Sequence, residues 1–197
     1  MTAWLPDVVH ADTQNSSAAA PLRAFLIRGL AGGRPFYFSA GLDALADKLK
    51  RAGVAATTHD QGSVIRPYGQ VGAIAAAAQA VAEAGARPVL IGHSMGADVA
   101  LKVAAILNAA QIAVPLVVCF DPTSFRLLFG PPPVPANVAR VFNFYQRMTP
   151  LGRGRLTPAP DFRGHLHQEE VRRIHSRVDD DAVLHARVLT EIAALGA

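Results

Sequence analysis

The residues Gly92-His93-Ser94-Met95-Gly96 set a serine between two glycines where the apolar run "RPVLIGH" gives way to the alanine-rich "MGADVALKVAAILNAA". A serine hydroxyl is a poor nucleophile until a base takes its proton, and it must project from the backbone into a cleft. A sharp strand-to-helix turn projects it, but strains the serine and crowds the positions two before and two after. Gly92 and Gly96 remove the side chains that would collide there. The helix that follows aims its N-terminal dipole at the serine, and the backbone N–H of Met95 can face a developing oxyanion. The chemistry such a serine performs is acyl transfer. The same pentapeptide also describes a glycine-rich turn that carries an idle serine.

In this context the pentapeptide resembles the nucleophile elbow of the α/β-hydrolase fold family. The resemblance covers most of Arg23 to Ala197. It implies a compact α/β fold, with a mostly parallel central sheet and helices on both faces. It also implies functional residues in the chain order serine, acid, histidine. The acid belongs at a later strand end, where "LVVCFDPT" supplies Asp121. The next apolar run, "RVFNFYQ", offers Asn143 and Gln146 but no acid. Asp121 also reads as a turn residue opening an Asp-Pro pair; Asp161, Asp179, Asp180 and Asp181 are the alternatives.

The resemblance places the histidine in a loop ahead of the last helix. His175 follows "EEVRRI" and precedes "SRVDDDAVLHARV", where aspartates can cap that helix, and it is the preferred base. His165 and His167, in the glycine-bearing loop "GHLH", are the fallback. A His-x-His pair could bind metal, but no matching cysteine or carboxylate spacing accompanies it. His185 falls inside the final helix, as surface or core filler. A second oxyanion donor is implied in the loop after an early strand, "IRGLAGGRPFYFSAG": the N–H of Leu30, with Ala31 as the alternative. Family members often carry His-Gly where this chain has Arg28-Gly29, and a backbone donor survives that change.

The implied activity is that of a small, lid-poor serine esterase or thioesterase, hydrolysing a carboxylic ester or thioester through an acyl-enzyme. The implied partner is a small acyl substrate, and no metal or organic cofactor is required. The one sizeable insertion lies between Asp121 and His175; its Phe125, Leu127, Leu128, Phe129 and Phe162 could line an acyl pocket or pack on the sheet. Acyltransferases and amidases use the same residues, and a catalytically inactive hydrolase-fold binding protein would keep the elbow as scaffold.

These residues need rigid elements beneath them. "RAFLIRGL", "VAATTHD", "RPVLIGHS", "VPLVVCFDPT" and "NVARVFNFYQ" read as strands, with "EEVRRIH" as a weaker one. "SAGLDALADKLKRAG" puts Leu42, Leu45, Ala46 and Leu49 on one helical face, with Ser39 as its N-cap and Gly53 as its stop. "YGQVGAIAAAAQAVAEAGA" and "AVLHARVLTEIAALG" are further helices. Alternating strands and helices with uninterrupted apolar strands predict a parallel sheet covered on both faces, with its site at the carboxyl ends of the strands.

A chain of 197 residues, 51% hydrophobic, is expected to form one domain over 21–197, after a flexible leader at 1–20. The single cysteine, Cys119, excludes an intrachain disulfide and reads as a buried small hydrophobe. No apolar stretch is long and pure enough to span a bilayer, and no secretory signal is visible. The cytoplasm is the expected compartment, a signal already removed being the alternative. The formal charge is +4. Arg147, Arg153, Arg155, Arg163, Arg172, Arg173 and Arg177 read as a solvated basic face; no nucleic-acid motif or interleaved aromatics accompany them. A basic module binding an anionic surface is the rival reading.

Overall fold

The computed structural model describes residues 19–30, 39–63, 65–124, 130–148 and 154–196. The expected leader therefore lies almost wholly outside the described residues, as do Ala31, Arg153 and the apolar group Phe125, Leu127, Leu128 and Phe129. The elements run β1 (Leu22–Arg28), α1 (Ala40–Arg51), β2 (Ala55–Asp60), α2 (Val71–Glu83), β3 (Arg87–His93), α3 (Met95–Ala109), β4 (Val114–Phe120), β5 (Val138–Tyr145), β6 (His165–Glu170) and α4 (Ala182–Gly196). The strands form one sheet in the order β2-β1-β3-β4-β5-β6, and every neighbouring pair is parallel.

Strand alternation divides the core in two. Phe25, Ile27, Leu90, Val117 and Cys119 face the helix residues Ile74, Ala78, Val99, Val103 and Leu107 of α2 and α3. Ala24, Leu26, Val89, Ile91, Val118 and Phe120 face Leu42, Leu45, Leu49, Val188 and Ile192 of α1 and α4. Both faces of the central strands are thus covered, which is why those strands read as unbroken apolar runs. Gly53 and Gly85 sit just beyond α1 and α2, both at φ 82°, the left-handed conformation in which helices commonly stop. No helix among the described residues is long and apolar enough to cross a membrane.

Two expectations fail locally. The last strand is "HLHQEE", not "EEVRRIH", so His165 and His167 lie on a strand rather than in a loop. β6 is an edge strand paired only to β5, and most of its residues are half-exposed. Leu166 is its one aliphatic residue, so no apolar pattern marks it. Ser39 precedes α1 but makes no capping hydrogen bond, because its hydroxyl is engaged elsewhere.

The strand order reverses between β1 and β3: the chain steps from β1 out to β2, then returns to β3 on the far side of β1. Open parallel sheets place their crevice at such a reversal, beyond the carboxyl ends of the strands. Gly29 follows β1 there, and Ser94 follows β3.

Candidate active site

Ser94 takes φ 57° and ψ −127° between β3 and α3, a sparsely populated conformation costing about 1–3 kcal/mol. Backbone bonds hold it there: Ser94 N–H donates to the Phe120 carbonyl (2.9 Å), and the Ser94 carbonyl accepts from Ala97 N–H (3.0 Å) and Thr123 N–H (3.2 Å). A Cβ on Gly92 would stand 2.4 Å from Ala97 N, and one on Gly96 would stand 2.0 Å from the Ile27 carbonyl oxygen. The two glycines therefore let the helix start close against the sheet. Met95 begins α3, so its backbone N–H has no partner within the helix.

His175 opens a short 3-10 turn, His175–Arg177, and reaches across the carboxyl end of the sheet. Its Nε2 lies 2.9 Å from Ser94 Oγ, and its Nδ1 lies 2.7 Å from Asp121 Oδ2. The carboxylate only accepts, so Nδ1 carries the proton and Nε2 is free to accept the serine proton. Asp121, directly after β4, is fully buried. Gln146, directly after β5, holds it: Gln146 Nε2 donates to Oδ2 (2.9 Å) and Gln146 N–H to Oδ1 (3.3 Å). Asp121 stands at φ 46°, so this hydrogen-bonded set contains two of the described non-glycine residues with positive φ; Tyr68 and Gln111 are the others.

The structure brings the candidates Ser94, His175 and Asp121 together, with Met95 next in the chain, and adds four residues around them that the sequence does not single out for this site. Gln146 was visible only as a non-acid; its position after the strand next to β4 is the signal that it could bond Asp121. Ser39, His93 and Asp179 form a buried polar group. His93 Nε2 donates to the His175 carbonyl (2.9 Å), and Ser39 Oγ bridges His93 Nδ1 (2.8 Å) and Gly29 N–H (3.1 Å). Gly29 itself lies against the serine, since a Cβ there would stand 2.8 Å from Ser94 Cβ.

Asp179 sits beside the N-terminus of α1, with its backbone against Gly41, and the nearby backbone N–H groups of Leu42 and Gly41 favour its charged form. Burial outweighs that influence and pushes its pKa up to about 7. His93 Nδ1 is 3.6 Å from Asp179 Oδ1, too far for a hydrogen bond. Burial, with the nearby His175, also lowers His93 to about 4, so the two meet as neutral groups rather than as an ion pair. A raised carboxyl pKa stabilises the fold fully below the unfolded value of 3.8, and that contribution is lost as pH rises towards about 7. Asp179→Asn should therefore gain stability relative to the parent between pH 4 and pH 8 in urea unfolding, whereas a parallel pH dependence in the two proteins would contradict this protonation state.

The remaining candidates lie elsewhere. His165 and His167 are on β6, and His167 Nε2 meets Glu169 Oε2 (3.3 Å). Among the described residues no cluster of three or more His, Cys, Asp or Glu is arranged for a metal. His185 is buried in α4 and donates from Nε2 to the Asp179 carbonyl (2.6 Å). Cys119 is buried, and its burial keeps the thiol protonated. Arg28 clamps Asp43 (2.5 Å) and Asp60 (3.2 Å). Of the late arginines, Arg147 meets Glu170, Arg173 meets Asp181, and Arg177 meets Asp180, all near the surface. Asp181 caps α4 through the N–H groups of Val183 (2.9 Å) and Leu184 (3.3 Å).

No family model and no curated protein matches the sequence. Solved structures do match. RedJ, a thioesterase from the prodiginine biosynthetic pathway of Streptomyces coelicolor, is 20% identical, over 96% of this chain and 98% of that one, with a TM-score of 0.57. Est1E from Butyrivibrio proteoclasticus is 12% identical, over 92% of this chain and 90% of that one, with a TM-score of 0.59. A Xanthomonas campestris pv. campestris protein assigned to the hydrolases of the alpha/beta superfamily is 19% identical, over 88% and 96% of the two chains, with a TM-score of 0.51. With the all-parallel sheet, the helices on both its faces and the strand reversal at Ser94, these likenesses establish that the chain has the α/β-hydrolase fold.

Proposed function

We propose that this protein is a serine hydrolase that cleaves a carboxylic ester or thioester through an acyl-enzyme. One observation carries the reading: Ser94 Oγ, His175 and Asp121 form a continuous hydrogen-bond chain of 2.9 and 2.7 Å at the carboxyl end of the sheet. Ser94 Oγ attacks the substrate carbonyl while His175 Nε2 takes its proton. The buried Asp121 carboxylate keeps the proton on His175 Nδ1 and stabilises the imidazolium that forms. The tetrahedral oxyanion is held by Met95 N–H, and by Leu30 N–H from the turn that backs onto Ser94. Gly29 N–H already donates to Ser39 Oγ, which favours Leu30 over Gly29 as the second donor. Collapse expels the alcohol or thiol with the proton from Nε2. Water then attacks the acyl-enzyme, giving its proton to the same nitrogen, and the carboxylic acid leaves as Ser94 Oγ is reprotonated.

A panel of p-nitrophenyl esters and acyl-thioesters of graded chain length, run on the parent and on Ser94→Ala, tests this. Structural neighbours that include thioesterases support putting thioesters on that panel. Serine-dependent turnover of at least one ester or thioester is the expected result; none across the panel contradicts it.

Asp121→Asn should leave KM nearly unchanged and lower kcat by about 10⁴-fold, because the amide disturbs the tautomer of His175 that accepts the serine proton. Steady-state kinetics measure it. Full activity in that variant would remove Asp121 from the mechanism.

A further inference from the structure

His93, the residue immediately before Ser94, is 1% exposed, yet its side chain does not face the reacting hydroxyl. Both of its ring nitrogens are committed to other parts of the site. Nε2 lies 2.9 Å from the His175 carbonyl oxygen, which can only accept, so Nε2 carries the proton. Nδ1 lies 2.8 Å from Ser39 Oγ and, in this tautomer, accepts the serine proton. Ser39 Oγ in turn accepts from Gly29 N–H at 3.1 Å. The chain Gly29–Ser39–His93–His175 therefore joins the turn after β1, the start of α1, the end of β3 and the segment bearing the proposed base. Every donor in it has an acceptor. The depressed pKa of His93, about 4, keeps it in the neutral form this pattern requires.

The His175 segment needs such a tie. Its 3-10 turn is short, no residue of that turn is buried, and Ile174 before it is 48% exposed. The rings of His93 and His175 lie 5.0 Å apart at 35°, so the same imidazole also packs beside the one it holds. A base displaced by about 1 Å can lose roughly a hundredfold in rate.

We propose that His93 is a positioning residue: Nε2–H holds the His175 carbonyl while Nδ1, through Ser39 Oγ, fixes the Gly29 turn, so one buried imidazole keeps the base and the oxyanion turn aligned on Ser94. The proposal rests on the hydrolase reading for its effect on rate, but its structural content can be tested without turnover. The test uses His93→Gln, whose amide N–H can replace the Nε2 donor, and His93→Phe, which keeps the ring and removes both polar atoms. In each protein the ring proton on His175 Nδ1 is followed by NMR at low field, alongside thermal unfolding and steady-state kinetics.

The expected result is that His93→Phe loses or exchange-broadens that resonance and drops in kcat by about a hundredfold with KM little changed. His93→Gln should recover the resonance and most of the rate. Ser39→Ala, which removes the hydroxyl bridge between His93 Nδ1 and Gly29 N–H but leaves the Nε2 contact to His175, should keep the His175 resonance and still lower kcat. It also serves if His93→Phe does not fold: loss of the His175 resonance in a folded Ser39→Ala, or its unchanged kcat, overturns the proposed division of labour. A folded His93→Phe with an unchanged resonance overturns the proposal outright. If the parent hydrolyses nothing on the panel but shows the His175 resonance, and a folded His93→Phe loses it, the positioning contact is upheld and the hydrolase reading is discarded instead.

Discussion

Ser94→Ala should fold like the parent and lose turnover by about 10⁴–10⁶-fold on any substrate the parent accepts. Alanine keeps the Cβ, so the backbone at φ 57° is no more strained than before, and the three backbone bonds around position 94 do not involve the hydroxyl. What disappears is the nucleophile alone. Substrate binding should persist, because Ser94 is 8% exposed and adds little contact surface. Thermal unfolding paired with kcat separates the two effects. Unchanged turnover in a folded Ser94→Ala would sink the assignment.

His175→Ala should match that loss, about 10⁴–10⁶-fold, since residues acting as a unit fail together and the double variant should be scarcely worse than either single one. The other histidines provide the control. His165→Ala alters an exposed edge position and should leave both rate and stability near those of the parent. His167→Ala loses a contact with Glu169 at the surface and should also keep its rate. His185→Ala should differ, lowering stability by about 1–3 kcal/mol while sparing kcat, because it removes a buried donor from the Asp179 carbonyl. Single-variant kinetics together with urea unfolding decide the matter. An active His175→Ala beside a dead variant at 165, 167 or 185 would mean that the base has been misassigned.

The legible parts of this protein are those where one physical cause dominates the local sequence. The doubly covered strands β1, β3 and β4 are continuous apolar runs, and Gly92 and Gly96 mark a turn where a Cβ would strike backbone. Asp121 and His175 could be named as candidates because Asp121 follows an apolar strand, His175 precedes the aspartates ahead of the last helix, and the resemblance orders them along the chain. Illegible were the contacts made across the sheet edge by residues distant in sequence. Ser39 has the composition of an N-cap, yet its hydroxyl serves Gly29 and His93, while the Asp179 backbone lies against the start of the helix. A local pattern cannot reveal that exchange, because it depends on the 179–180 backbone lying against Gly41, where a Cβ would be 2.1 Å from the Asp179 carbonyl oxygen. β6 escaped for a different reason: a half-exposed edge strand carries too little apolar alternation to be seen.

The central claim, that Ser94 is a hydroxyl activated by His175, is tested most directly by covalent trapping. A fluorophosphonate reacts with an activated serine by displacement of fluoride, forming a phosphonyl ester that intact-protein and peptide mass spectrometry can locate. The account predicts a single adduct on Ser94, none in Ser94→Ala, and labelling slowed by orders of magnitude in His175→Ala. An unlabelled parent, an adduct on another residue, or equally fast labelling of His175→Ala would contradict it.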